Sequence, residues 1–152
     1  MHTIEQPLKV IDKKGNFTRM KILLLFLFTL ICYALLDLAF INLFAKAFIQ
    51  QQVGWLLAPR PDLAAAVIFY LIFVAGILYF CILPAASANR ALLNGAFFGL
   101  VTYATYELVN KSLLDRWPWP LVLTDLAWGV FVGTTVSWLG WRFARWAGVP
   151  HL

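Results

Sequence analysis

Charged residues are scarce in this chain, and their scarcity excludes most soluble architectures. Asp, Glu, Lys and Arg make up 12% of the 152 residues, whereas hydrophobic residues make up 62%. An ordinary soluble domain carries about 25% charged residues. A chain of this length has room for one domain and could not bury so much apolar surface in water. The composition therefore predicts an all-α membrane protein in contact with the lipid bilayer.

Residue types with a distinctive chemistry are also rare inside the chain. The two histidines, His2 and His151, lie at its ends, so no internal histidine cluster could hold a metal. Cys32 and Cys81 lie in separate apolar runs and are typical of small packing residues rather than of a disulfide framework. There is no phosphate-binding glycine loop and no Ser–His pair. These absences argue against an enzyme and predict neither a cofactor nor a metal.

The net charge of +5 does not indicate nucleic-acid binding, because the basic residues are concentrated before the first apolar run. Five of the twelve Lys and Arg residues lie there: Lys9, Lys13, Lys14, Arg19 and Lys21. A flexible basic tail over residues 1–19, lying on the cytoplasmic membrane surface, explains them. Met20 offers a second candidate start, so the choice between Met1 and Met20 stays open.

Four apolar stretches are long enough to cross a membrane, since a spanning helix needs about 20 mainly apolar residues. They cover residues 21–45, 63–83, 91–110 and 121–141. The connections are short, so residues 20–146 are predicted to form an antiparallel bundle of four transmembrane helices, followed by a short tail, 147–152. Eight of the twelve Lys and Arg residues fall on the side of the termini, which predicts that both termini are cytoplasmic.

Three of these spans each contain a single acid, and the number of residues from the inner end of each span places the three acids at the same depth. Asp37, Glu107 and Asp125 each lie 16 residues from the inner end of their span. At a rise of about 1.5 Å per residue, each is roughly 24 Å from the cytoplasmic face. Because ionisable groups inside a membrane usually face a bundle interior and mark a functional site, we expect the three carboxyls to meet.

The helical faces support this convergence. Small residues at four-residue spacing, which let helices approach closely, predict packing through Gly95, Gly99, Gly129 and Gly133. The acids and several polar or aromatic side chains lie on the same helical faces as these glycines. The predicted outward-facing pocket is lined by Asp37, Glu107, Asp125, Tyr103, Tyr106, Asn110 and Trp128, and Tyr70 could reach the same layer.

Three neighbouring carboxyls cannot all stay ionised at low cost, so either a proton is retained or a cation lies among them. Lys46, Lys111 and Arg116, on the outer connections, are the internal candidates for that cation. A structural interpretation stays open: Glu107 and Asp125 could extend to water or cap a helix end, and Asp37 could join helices through Lys46 or a tyrosine.

Four segments resemble one family. They are Leu36–Phe40 (LDLAF), Gly54–Pro59 (GWLLAP), Thr102–Asn110 (TYATYELVN) and Thr124–Gly129 (TDLAWG). Together they are similar to a bacterial membrane-protein family catalogued as domain of unknown function 2177, over Met20 to the C-terminus. Where this chain has Glu107, the family commonly has Asp, which keeps the charge. The resemblance implies a four-helix, multi-pass protein of the bacterial inner membrane without an established activity, and a role connected with membrane lipids.

Three functions are compatible with the sequence. The first is the binding or transport of a cation, an amine or a proton in the acidic pocket, and a dimer could supply the pathway. The second is a non-catalytic subunit or partner of a larger membrane complex, or an accessory protein in lipid modification. The third, an enzyme that acts on lipid, is the least favoured because the residues named above offer no catalytic motif.

Overall fold

The structure is a computed structural model, which describes the backbone of residues 5–150 and the side chains of residues 15–150. Over this range the chain is helical and contains no strand, which confirms the predicted all-α class. The helices are α1 (Glu5–Phe40), α2 (Lys46–Val53), α3 (Leu63–Gly76), α4 (Ala88–Leu113) and α5 (Trp119–Ala147). Two π-helical segments, Ile41–Ala45 and Ile77–Ile82, continue α1 and α3, and a 3₁₀ turn, Gly54–Leu56, follows α2.

The first helical stretch is longer than the predicted span. The π-helical segment Ile41–Ala45 joins α1 to α2 without a break, so the segment expected to be a connection is helical as far as Leu56. No Gly or Pro interrupts the chain between Phe40 and Val53. In addition, Phe48, Ile49 and Val53 of α2 pack against the start of α5. At its other end α1 begins at Glu5, so the described part of the predicted basic tail has helical backbone. Its flexibility stays a prediction.

Three helical stretches of the described chain are long and apolar enough to cross a membrane: Gly15–Leu56, Leu63–Ile82 and Trp119–Ala147. The helix that corresponds to the third predicted span, α4, has 26 residues, about 39 Å at the usual rise, and is therefore long enough. It is more polar, because Arg90, Asn94, Glu107 and Lys111 lie along it.

Local sequence accounts for the helix ends. The Asp62 carboxylate accepts hydrogen bonds from the backbone N–H groups of Ala64 and Ala65 at 2.9 and 3.1 Å, which is the usual arrangement at a helix start. Pro120 lies in the first turn of α5, where its missing N–H costs nothing. Helix α5 ends at Gly148, whose φ of 62° suits glycine, and the Lys21 ammonium donates to the Gly148 carbonyl at 2.8 Å.

Helices α4 and α5 form the most extensive contact in the molecule, and glycines make it. A Cβ added at Gly99 would overlap the Gly129 carbonyl, and one added at Gly95 would overlap the Gly133 carbonyl. The two backbones therefore touch directly at these glycines. One turn further along α4, the ring of Tyr103 lies against Gly129. As the residue number rises along α4 from Gly95 to Tyr103, the residue that it contacts on α5 changes from Gly133 to Gly129.

The interior has two parts. The larger apolar core lies between α1, α3 with its π-helical segment, and α5, around Leu25, Val74, Ile77 and Val136. The smaller core joins α2 to the start of α5 and consists of Val53, Trp117, Leu121 and Val122, with Phe48, Ile49 and Leu126 packed against it. Helix α3 packs against α1 and has little contact with α4, which leaves a gap between the two.

Candidate functional site

The three acids lie at the end of the bundle that also carries the start of α5. Asp37 is on α1, Glu107 on α4 and Asp125 on α5. Asp37 is 9% exposed, Glu107 is completely buried, and Asp125 is half-buried. We call this part of the molecule the acid end. Its three carboxyls form two groups, Asp37 with donors of its own, and Glu107 with Asp125.

Asp37 is held by two aromatic donors. The Tyr70 hydroxyl donates to its Oδ2 at 2.5 Å, and the Trp128 indole N–H donates to its Oδ1 at 3.4 Å. The Trp128 ring stacks on Phe40, with ring centroids 3.9 Å apart, which fixes the indole next to the carboxylate. Through these two hydrogen bonds the Asp37 side chain joins α1, α3 and α5.

Three tyrosines, Tyr33, Tyr70 and Tyr103, form a cluster beside Asp37. The hydroxyls of Tyr33 and Tyr103 lie 3.4 Å apart, and the rings of Tyr33 and Tyr70 meet edge to face with centroids at 5.3 Å. Tyr33 is completely buried and also stacks on Phe73, at 4.8 Å between centroids. This tyrosine cluster places one hydroxyl group from each of α1, α3 and α4 at the same level of the bundle.

Glu107 is buried under the connection between α4 and α5. Its Oε2 accepts a hydrogen bond from the Trp117 indole N–H at 2.8 Å, whereas its Oε1 has no hydrogen-bond partner. Trp117 itself is 6% exposed, and its carbonyl accepts from the Lys111 ammonium at 2.6 Å. The preceding residue, Arg116, has a φ of 63°, and this left-handed turn directs the indole back over Glu107.

Asp125 lies on the helix that packs against α4, near the carboxyl groups of Glu107 and Asp37. Within the described side chains, none of the three acids forms an ion pair; the only pair found there joins exposed Asp115 and Arg116 at 3.8 Å. Lys46 is exposed, and the Lys111 ammonium is occupied by the Trp117 carbonyl and the Trp119 ring. The three internal cations considered from the sequence therefore do not neutralise the acid end.

The gap between α3 and α4 forms a half-open cleft of about 410 Å³. We call it the aromatic cleft; it is lined by Phe69, Phe73, Thr102, Tyr103, Tyr106 and Asp125. Asp125 contributes the carboxyl group of this lining. Phe69 is 44% exposed and Tyr106 is 61% exposed, so both lie at the mouth of the cleft. An aromatic lining with one carboxyl suits a cation that carries an apolar body.

The structure thus brings together most of the residues singled out from the sequence. Asp125, Tyr103 and Tyr106 line the cleft, Glu107 lies beside Asp125, and Trp128 binds Asp37. Asn110 is half-buried on α4 but does not line the cleft, and its part in binding stays a prediction. No grouping of His, Cys, Asp and Glu among the described residues is suited to hold a metal ion.

Sequence reasoning missed Trp117, Phe69 and Phe73. A tryptophan near the end of a span is ordinarily expected at the lipid–water interface, as exposed Trp55 and Trp119 are, but Trp117 is buried. Its sequence context offered no distinguishing signal apart from Pro118, which marks a turn. Phe69 and Phe73 are four residues apart in a span that is apolar on all sides, so nothing in the sequence showed which face is turned toward α4.

Comparisons with known proteins agree with this architecture. Neither the curated proteins nor the solved structures contain a match to the chain. A family model described as "Predicted membrane protein (DUF2177)" matches residues 22–142, which include all five helices in whole or in part and all three acids. The chain therefore belongs to the DUF2177 family of membrane proteins.

Proposed function

We propose that this protein is an antiparallel bundle of four transmembrane helices in a bacterial inner membrane, and that it binds an organic cation in the aromatic cleft. Four spans are supported by the length of α4 and by its long contact with α5, in which Gly95 meets Gly133 and Gly99 meets Gly129. Cytoplasmic termini are supported by the excess of Lys and Arg on that side. A fluorescent protein fused to the C-terminus should then fluoresce, and a periplasmic reporter enzyme fused there should be inactive.

The observation that carries the proposal is the setting of Asp125. Its half-buried carboxyl lies in the aromatic cleft, and no described Lys or Arg pairs with it. A buried carboxylate without a cation is costly, so an entering cation gains a strong electrostatic interaction there. Rings of Phe69, Phe73 and Tyr103 can attract the same cation through their faces, an interaction of about 0.5–2 kcal/mol per ring.

The position of the cleft favours a ligand that combines charge with apolar surface. The cleft lies between two helices rather than along a central axis, and its mouth carries exposed Phe69 and Tyr106. A small hydrated metal ion would find no polar group there except Asp125, Thr102 and two tyrosine hydroxyls. A protonated or quaternary amine with a hydrocarbon body matches both the carboxyl and the rings.

The test is binding of benzyltrimethylammonium to the purified protein in lipid nanodiscs, measured by calorimetry. We expect the Asp125→Asn variant to bind at least about tenfold more weakly, because the charge-assisted interaction is lost. Asp115→Asn is the matched control, since Asp115 is an exposed acid on the connection between α4 and α5. Equal affinity of all three proteins, or no saturable binding by the unmodified protein, would contradict the proposal.

The same half-buried carboxyl supports a second candidate, a subunit that receives the basic side chain of a partner helix in the cleft. Tyr106 and Phe69 at the mouth would then lie in the contact. Purification in mild detergent distinguishes the two, because a partner should remain bound to the unmodified protein and to Asp115→Asn and be lost with Asp125→Asn. A stable, lone chain that binds the quaternary amine would exclude this second candidate.

A further inference from the structure

Glu107 has an unusual position for an acid. It is completely buried, one of its oxygens accepts from Trp117, and the other has no donor. An ionised carboxylate with a free, buried oxygen is strongly unfavourable, whereas a protonated carboxyl can donate its own hydrogen bond. The geometry therefore requires a proton or a cation next to Glu107 Oε1.

The packing of α4 on α5 places Asp125 next to Glu107. Tyr103 contacts Gly129, and one helical turn toward the acid end on both helices brings Glu107 level with Asp125. The two carboxyls interact directly, within reach of a hydrogen bond if one of them is protonated. Glu107 Oε1 has no nitrogen or hydroxyl donor among the described residues, so Asp125 is the acid with which it can share a proton.

The other groups around the pair do not supply positive charge. From α1 comes Asp37, which takes its hydrogen bonds from Tyr70 and Trp128. From α1, α3 and α4 come the hydroxyls of the tyrosine cluster, and α4 also carries Lys111, whose ammonium is bound to the Trp117 carbonyl. With no cation beside them, two adjacent carboxyls retain one proton between them.

We propose that Glu107 and Asp125 share a single proton, and that this proton fixes the charge of the cleft at one negative unit. This inference rests on the proposed function and adds the substrate class, because a single charge is matched by a monovalent cation and not by a divalent one. Glu107 is then a positioning residue: it holds the proton, orients Asp125 toward the cleft, and does not touch the ligand.

The proton can be measured without any ligand by infrared spectroscopy of the protein in nanodiscs at neutral pH. We expect the absorption of a protonated carboxyl, which disappears in Glu107→Gln and persists in Asp115→Asn and Asp37→Asn. Glu107→Asp, which keeps the acid, should keep the absorption at a shifted frequency and covers the case in which Glu107→Gln does not fold. Absence of the absorption in the unmodified protein, or its loss in Asp37→Asn alone, overturns the inference.

Ligand binding gives the second readout. Glutamine resembles a permanently protonated glutamate, so Glu107→Gln should bind benzyltrimethylammonium within about threefold of the unmodified protein, while Asp125→Asn loses about tenfold or more. A bis-quaternary analogue of the same ligand should bind no more tightly than the single one. If Glu107→Gln weakens binding as much as Asp125→Asn, both carboxyls carry charge and the shared proton is excluded, although the binding site stands. If the unmodified protein binds no amine, the proposed function fails, and the infrared result still decides whether the proton is shared.

Discussion

The two ends of the α4–α5 pair are built in opposite ways. At the end that contains Gly95, Gly99, Gly129, Gly133 and Ser137, which we call the glycine end, the backbones touch and no room is left for a side chain. At the acid end the same helices carry Glu107 and Asp125, and α3 stands away from α4 so that the aromatic cleft opens. One end is closed by the absence of side chains, and the other is held together by specific polar contacts.

The comparison shows how a small membrane protein can hold a polar site without a large core. Lipid supplies no hydrophobic driving force between helices, so close backbone contact must supply much of the stability. The glycine end provides that contact over two helical turns. The acid end can then keep a buried carboxyl and a cleft, which are unfavourable in themselves, because it does not have to hold the helices together alone.

Replacing Gly99 by Leu should have the largest effect, because it opens the glycine end. Even a Cβ at this position would overlap the Gly129 carbonyl, which is backbone and cannot move aside. We expect a loss of about 3 kcal/mol or more in the free energy of unfolding, measured by denaturation with SDS in mixed micelles. Gly15→Leu is the control, since a Cβ at Gly15 meets nothing within 4 Å. Similar losses in both variants would show that the close approach does not matter.

Replacing Trp117 by Phe should have the next largest effect, at the acid end. An aromatic ring is kept, but Glu107 Oε2 loses the indole N–H that donates to it and becomes a buried oxygen without a donor. Leaving a buried polar group without its partner costs about 1–3 kcal/mol, and the same SDS denaturation measures it. Trp55→Phe makes the same chemical change at a residue that is 68% exposed and should leave stability unchanged. A stable Trp117→Phe protein would mean that Glu107 does not depend on the indole.

Replacing Tyr70 by Phe should have a smaller effect, because Asp37 keeps Trp128 as its second donor. Because Tyr70 is half-exposed, we expect the loss of this hydrogen bond to lower the free energy of unfolding by about 1 kcal/mol. Tyr79→Phe, at a tyrosine that is 64% exposed, supplies the comparison. Equal thermal midpoints for the two variants would indicate that the Tyr70–Asp37 bond contributes nothing to stability.

Replacing Ser137 by Ala should have the smallest effect and sharpens the contrast between the ends. Ser137 is completely buried at the glycine end, and its hydroxyl forms no hydrogen bond, although the Cys81 thiol is a neighbour. Removing an unpartnered hydroxyl should change stability by less than about 0.5 kcal/mol in the same denaturation experiment. A large loss would reveal that the hydroxyl is partnered, and the glycine end would no longer be a purely steric contact.

The sequence was sufficient for features that depend on periodicity. Four-residue spacing identified Gly95, Gly99, Gly129 and Gly133, and the structure places them in contact across α4 and α5. Tyr70 was expected within reach of the acids, and it bonds Asp37. Such features follow from the fixed geometry of a helix, which places residues four apart on one face.

Features that depend on how connections fold could not be obtained in this way. The helical path of residues 46–56 depends on the packing of Phe48, Ile49 and Val53 against the start of α5, which is a tertiary contact. The burial of Trp117 depends on the left-handed turn at Arg116, and arginine has no preference for that conformation. The aromatic cleft exists because α3 packs against α1 rather than α4, and the uniform apolar surface of α3 does not reveal which neighbour it takes.

The π-helical segment Ile41–Ala45 constrains how this chain can change in length. A π-helical turn holds one residue more than an α-helical turn, and the helices on either side of it keep their faces. Deleting one of its five residues would give a regular α-helix and leave Phe48, Ile49 and Val53 facing Trp117. Deleting a residue from the regular helix that follows would instead rotate everything beyond by about 100° and turn the next packing residues away from the start of α5. The π-helical segment is therefore the place in this long helix where the chain can lose a residue without losing its packing.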